Sequence, residues 1–430
     1  MMTDSDEERR SFNTLAVHAG QGAGGTETRA SATPIHQTAS YLLEDVEKAQ
    51  RLFALEEEGD IYSRISNPTN AVFEERLAAL ERGVGSVATS SGMSALNLIV
   101  FTLMESGENV VSSSNLYGGT YTYFTQSLPK YGMNVKLVEE DTPEAFEQKI
   151  DEKTRFLHLE TIGNPSLAVP EIRPVVEVAH DVGVPLVMDN TFATPYLCRP
   201  FEFGVDIVWH STTKWLNGGG TTIGGAVVDS GKFDWESGEF PGLTEPDPSY
   251  HGINFLERFG EKAFIANLRA RGLRDLGSVQ SPFDTFLNLK GLETLPLRME
   301  KHCENAQQVA AFLDDHSNVS WVNYPGLSSH PSHDLASKYL ENGYGGMITF
   351  GAEGGYEAGK GLMESVDLIS FLANVGDAKS LIIHPSSTTH QQLSQEEKKS
   401  AGITDDMLRL SVGIEDPKDI KKDLERALTK

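Results

Sequence analysis

Short apolar runs alternate with amphipathic stretches through the middle of the chain. Between about residues 70 and 275, Ser86–Thr89, Asn109–Ser112, Phe156–Glu160, Pro185–Met188, Asp206–Trp209 and Gly225–Val228 are apolar, β-branched and bounded by turn formers, a pattern that predicts strands. Asn70–Leu80 places its apolar residues at helical spacing instead, as does Ser94–Met104. Strand alternating with helix predicts a large α/β domain, residues 70–275, built on a mostly parallel sheet. Beyond 276 the order changes. A helical segment at Met299–Leu313 is followed by strand-like runs at Val319–Tyr324, Gly346–Phe350 and Met407–Ser411, which predicts a smaller C-terminal α+β domain, 276–430. Residues 1–69 hold few periodic apolar positions apart from a short helix near Leu43–Leu55, and read as an arm that orders on a neighbouring subunit. No internal repeat interrupts this scheme.

Composition narrows the partners. The chain has 430 residues, 39% apolar and 23% charged, and its 62 acidic against 36 basic residues leave a formal net charge of −26. Such an excess repels nucleic acid and anionic membranes, so neither is expected as a partner. The acidic residues are scattered, apart from runs such as Asp4–Glu8 and Glu56–Glu58; a hydrated surface of this kind suits a salt-rich, halophilic cytoplasm. Cys198 and Cys303 are far apart with no metal-ligand spacing, which argues against a disulfide framework or a zinc site and fits a reducing compartment. The start of the chain, MMTDSDEERR, is unlike a secretory signal, and the apolar segment Ser94–Met104 is too short to span a bilayer.

The candidate chemistry centres on residues 206–225, DIVWHSTTKWLNGGGTTIGG. A strand-like run ends in the hydroxyls of Ser211, Thr212 and Thr213, and Lys214 follows at once before a run of glycines. A desolvated lysine there gives up its proton readily and can bond covalently to a cofactor aldehyde, which points to pyridoxal phosphate. Two other readings stand beside it: a surface lysine after a strand, and the S-x-x-K signature of penicillin-binding-type hydrolases. The second also needs S-D-N and K-T-G elements, which the chain lacks.

In an open α/β sheet, ligands bind beyond the carboxyl ends of the strands. After the first predicted strand, Ser90-Ser91-Gly92-Met93 opens a helix whose exposed N–H groups suit a phosphate. After the second, Tyr117 precedes Gly118 and Gly119 and offers a ring that can stack on a planar cofactor. After the third, Asn164 offers an amide for a phenolic oxygen; after the fourth, Asp189, with Asn190 and Thr191, offers a carboxylate for a pyridinium nitrogen. Each also has an ordinary structural reading as cap, core residue or turn. The case rests on their falling at one sheet edge. Outside this sheet, Tyr62 and Arg64 end the arm as candidate phosphate donors, and Arg409 on the last predicted strand suits an α-carboxylate or, in the ordinary reading, a surface salt bridge.

These residues carry a resemblance. YSRISNPT at 62–69, SSGMSA at 90–95, ETIGNP at 160–165, DNTFATPYLCRP at 189–200, HSTTKW at 210–215 and RLSVGIE at 409–415 resemble the pyridoxal-phosphate enzymes of cysteine and methionine metabolism, the cystathionine synthases and lyases. The resemblance implies pyridoxal-phosphate fold type I, the aspartate-aminotransferase-like architecture, and homotetramers built from tight dimers that share active sites. It implies that Lys214 binds the cofactor covalently, Asp189 pairs with the ring nitrogen and Tyr117 stacks on the ring. Phosphate ligands would come from the backbone of Gly92 and Met93 and the hydroxyls of Ser211 and Thr213, with Tyr62 and Arg64 from the neighbouring subunit; Ser91 and Thr191 would also contact the cofactor. Arg409 would bind the substrate carboxylate, with Asn164, Ser380 and Tyr62 nearby.

Within that family, segment 231–252 and the chain length resemble the O-acetylhomoserine sulfhydrylase branch, which implies a transferase of methionine biosynthesis acting on an amino-acid ester and sulfide or a thiol. Gly119 stands where methionine γ-lyases tend to carry a cysteine, and Asn217 and Gly219 stand where relatives often show glycine and histidine. Cystathionine γ-synthase, a γ-lyase and a non-catalytic cofactor-binding scaffold remain the alternatives.

Overall fold

The computed structural model describes residues 10–22, 30–388, 391, 398 and 402–430. The acidic run Asp4–Glu8 lies outside the described residues. Among them, seven strands form the first sheet: β1 Gly85–Thr89, β2 Asn109–Ser113, β3 Asn134–Val138, β4 Thr154–Glu160, β5 Leu186–Asp189, β6 Ile207–His210 and β7 Gly225–Asp229. Their order is β1-β7-β6-β5-β4-β2-β3, and β7 alone runs against its neighbours.

The central strands are buried on both faces, as a helix-covered parallel sheet requires. Val110, Phe156, Val187, Ile207 and Val227 pack into one cluster, while Val111, Leu157, Leu186, Met188, Val208 and Val228 pack into the other. Consecutive residues therefore serve opposite faces, and an apolar run rather than an alternating one results. The edge strand β3, absent from the sequence reading, is paired with β2 alone and buries only Val138 fully, so its polar residues dilute the apolar signal. Segment 231–252 lies against the first of these clusters and contributes Phe233, Trp235, Phe240 and Leu243 to it.

A second sheet of five strands contains β8 Val319–Asn323, β9 Met347–Ala352, β10 Ser370–Phe371, β11 Leu381–Ile383 and β12 Met407–Ser411, in the order β10-β11-β12-β9-β8. The two sheets share one rod, the helix Pro282–Asp314. Leu289, Leu292, Leu295 and Met299 bury into the core of the first sheet, whereas Ala306, Val309, Ala310 and Leu313 bury into that of the second. The apolar pattern from Met299 onward marked only its second half.

The arm is not uniform. The helix Phe12–His18 buries Leu15 and Ala16 in the same cluster as Val72, Phe73 and Leu77, so this part of the arm packs on its own chain. Farther along, Leu42, Val46 and Phe53 are exposed.

Candidate active site

The carboxyl edge of the first sheet gathers three charged or titratable residues at successive strand ends. Glu160 ends β4, Asp189 ends β5 and His210 ends β6, and Glu160 is the register partner of Asp189. Beneath them, Oε1 of the buried Glu81 accepts from Asn190 at 2.9 Å and pairs with His210 Nε2 at 2.6 Å, tying both strand ends to the helix Pro68–Glu81. Asp189 Oδ1 accepts the Thr191 N–H at 2.9 Å, and Thr191 Oγ1 in turn accepts the Ser211 N–H at 2.8 Å. Burial pushes the Asp189 carboxyl up to about 6, against the pull of Thr191 and His210.

Lys214 follows β6 after a turn closed by its own N–H to Ser211 O at 3.2 Å. Its amine is largely buried. Burial first, then the nearby Arg409 charge, bring its pKa down to about 8. Nζ donates to Asn374 Oδ1 at 2.6 Å, on the loop between β10 and β11. The glycine-rich run after the lysine is held firmly: Asn217 Oδ1 accepts from Gly219 N at 3.1 Å and from Thr221 Oγ1 at 3.1 Å. Asn217 also reaches Asn288, which donates to Thr212 Oγ1, so the residue that departs from the expected glycine fastens this loop to the long helix. Arg298 completes the fastening by donating to the carbonyls of Trp215 at 2.7 Å, Gly291 at 2.8 Å and Leu216 at 3.3 Å.

The helix Gly92–Leu103 starts against this loop. A Cβ on Gly92 would fall 2.8 Å from Ser211 Cβ, so glycine is what lets the helix start approach the lysine turn. Ser91 caps the helix by accepting the Ser94 N–H at 3.1 Å. Thr213 Oγ1 donates to Gly224 O at 3.2 Å and accepts Gly224 N at 3.0 Å. On the other side, the Tyr117 ring is exposed and folds over Gly119, where a Cβ would meet ring carbon Cε1 at 2.4 Å. A cysteine at 119 would therefore require this ring to move.

Arg409 comes from β12 of the second sheet and is 4% exposed, which excludes the surface salt bridge. Its Nη1 donates to Asn164 Oδ1 at 3.0 Å, and burial lowers its pKa to about 10, against the pull of Tyr117. A buried guanidinium whose only side-chain partner among the described residues is an amide leaves donors for an anion.

Not every expected residue converges. Ser380 is fully buried, its hydroxyl donating to Glu415 Oε2 at 3.0 Å and accepting Gly413 N at 2.9 Å. The side chain that meets the lysine is Asn374, which sequence reasoning missed because it sits in a loop between two strands too short to show a pattern. Tyr62 and Arg64 line a groove whose lining does not include Lys214. Arg64 donates to its own chain's Arg274 carbonyl, its guanidinium lies 5.4 Å from the Tyr62 ring centre, and both residues line a groove of about 430 Å³ with Gln37, Thr38, Gln280 and Pro282.

The donor set fits pyridoxal phosphate. A helix start pressed on a hydroxyl-bearing turn offers N–H groups to a phosphate, a buried amine of lowered pKa faces the same space, and a buried carboxylate ends the adjacent strand. Fold and site together define a pyridoxal-phosphate enzyme of fold type I, with a smaller second sheet domain. The profile of the Cys/Met metabolism PLP-dependent enzymes matches residues 13–429, and the chain belongs to that family.

Its relatives are similar over nearly their whole length. Homocysteine synthase of Schizosaccharomyces pombe is 51% identical, over 98% of this chain and 99% of its own. The O-acetyl-L-homoserine sulfhydrylase of Leptospira meyeri is 50% identical, over 96% of both chains. A solved Campylobacter jejuni structure, which carries N'-pyridoxyl-lysine-5'-monophosphate, superposes with a TM-score of 0.94 at 38% identity, over 98% of this chain and 100% of that one. The metB protein of Corynebacterium glutamicum gives 0.84 at 32% identity, over 99% of each.

Proposed function

We propose that the protein makes L-homocysteine and acetate from O-acetyl-L-homoserine and sulfide. The observation that carries the reading is the convergence of Lys214 and Arg409, a buried amine and a buried guanidinium brought together from different sheets, the arginine's charge acting on the amine. The names of relatives at about half identity supply the substrate.

Bound pyridoxal phosphate supplies an aldehyde for the amino group and a protonated ring that withdraws electrons from the substrate. Gly92 and Met93 N–H groups, with Ser211, hold its phosphate, Lys214 holds its aldehyde carbon, and Asp189 keeps the ring nitrogen protonated. Thr213 joins them once its hydroxyl turns from Gly224. Arg409, steadied by Asn164, binds the α-carboxylate of the amino acid. Lys214 Nζ, when not bonded to the cofactor, would take the proton from Cα and then move a proton at Cβ. The Cγ–O bond breaks with loss of acetate, and sulfide forms the new Cγ–S bond. Asn374 receives the lysine amine when it is not engaged.

Tyr62 and Arg64 are assigned to the phosphate of a neighbouring subunit in a homotetramer, an assignment supported by the groove they line, whose lining does not include Lys214. No helix among the described residues is long and apolar enough to cross a membrane. A cytoplasm rich in salt is proposed from the charge of −26.

Initial rates with O-acetylhomoserine and either sulfide or cysteine, in high KCl, test the reading. Homocysteine from sulfide with little cystathionine from cysteine is expected. The reverse would make the protein a cystathionine synthase.

A further inference from the structure

Glu160 stands at the same sheet edge with no task in the scheme above. It is 6% exposed, ends β4 and faces Asp189 across the ladder. Burial, the Asp189 charge and the more distant Asp141 all push its pKa well up. A like-charged pair in a buried position is costly, and an apolar residue would avoid the cost, so the carboxyl group must be making contacts that an apolar residue could not.

Those contacts join two loops. Glu160 Oε1 accepts the backbone N–H of Tyr117 at 2.6 Å, and the backbone N–H of Asn164 acts on the same carboxylate. Tyr117 belongs to the loop after β2 and carries the exposed ring. Asn164 belongs to the loop after β4 and holds Arg409. One side chain therefore sets where the stacking ring stands relative to the arginine that reaches over from the second sheet.

We propose that Glu160 is a positioning residue that fixes the Tyr117 loop against the Asn164–Arg409 pair and so shapes the slot for the cofactor ring, acting as a hydrogen-bond acceptor and not as a base. The proposal rests on the cofactor placement given above. It makes reach the decisive property, since Glu160→Gln keeps an oxygen at the same length, Glu160→Asp draws it back by one methylene, and Glu160→Ala removes it.

The test is the dissociation constant of pyridoxal phosphate by equilibrium dialysis, with the induced circular dichroism of the bound cofactor, for the three variants and the parent. Glu160→Gln is expected within about threefold of the parent with its dichroism kept, while Asp and Ala bind at least about tenfold more weakly and lose most of the signal. Parental affinity and dichroism in Asp and Ala would overturn the proposal, and so would a Gln variant as impaired as Ala, because charge would then be what matters. Should Ala fail to fold, the contrast between Gln and Asp still decides. Borohydride reduction of the parent holoenzyme followed by peptide mass mapping separates the two levels of the argument. A label on a lysine other than Lys214 would sink the site itself; a label on Lys214 with indifferent Glu160 variants would sink this proposal alone.

Discussion

Lys214 and Asn374 meet across the two sheets, with Nζ donating to Oδ1 at 2.6 Å. The lysine follows β6 and the asparagine lies between β10 and β11, so the amine is held by a group that belongs to the other sheet's domain. Any shift of one sheet against the other changes what the amine feels. An amide acceptor favours the charged amine without neutralising it, and it can release the amine at little cost when the cofactor takes its place.

Cofactor capture by the apoprotein should follow the neutral form of Lys214. With the pKa brought down to about 8, the capture rate is expected to rise with pH and reach half its maximum near that value. A midpoint above 10 in stopped-flow absorbance would show the amine to be solvated.

The same shift has a stability consequence with a definite sign. The folded-state pKa of about 8 lies below the ordinary value of 10.5, so the unfolded chain binds more protons between those limits and apoprotein stability gains from this group as pH rises through the window. Below pH 8 the cost of burying the ammonium is present in full. Lys214→Met is expected to remove this rise and to stabilise the apoprotein at pH 7, as read by thermal unfolding of both proteins across the range.

Asn374→Ala takes away the acceptor that favours the ammonium. The capture midpoint should move below that of the parent, and Asn374→Asp should move it up by adding a negative charge. Equal midpoints in the three proteins would mean that the contact is incidental.

Gly92→Ala places a Cβ 2.8 Å from Ser211 Cβ and 2.9 Å from Ser211 Cα, with main chain behind it. The helix start and the lysine turn must part, at a cost of about 1–3 kcal/mol in urea unfolding. The preference for pyridoxal phosphate over pyridoxal should shrink as well if the displaced N–H groups hold the phosphate as proposed.

Arg298→Ala leaves the carbonyls of Trp215, Leu216 and Gly291 without their shared donor. A stability loss of about 2–4 kcal/mol is expected, together with faster cofactor release. Arg298→Lys should recover little, because a single ammonium cannot reproduce the planar fork.

The sequence carried the local facts well. The strands ending at Thr89, Ser113, Glu160, Asp189, His210 and Asp229 were legible because strands buried on both faces leave continuous apolar runs, and the residues just past them were legible because turns are written in glycine, serine and asparagine. Lys214, Asp189, Tyr117 and Asn164 all follow such runs. The edge strand β3 and the short β10 and β11 left no such mark, having few residues or one exposed face.

What lay beyond one element was decided by tertiary structure. That Arg409 is buried over Asn164 depends on β12 being carried to the first sheet by a helix that serves both cores, and no window of sequence contains that relation. Ser380 and Asn374 are close in the chain and both polar, yet one turns inward to Glu415 and the other out to Lys214. The turn that carries the lysine was readable from its neighbours in sequence; its pKa and its partner were not, because burial and charge are sums over everything that packs nearby, whatever its distance along the chain.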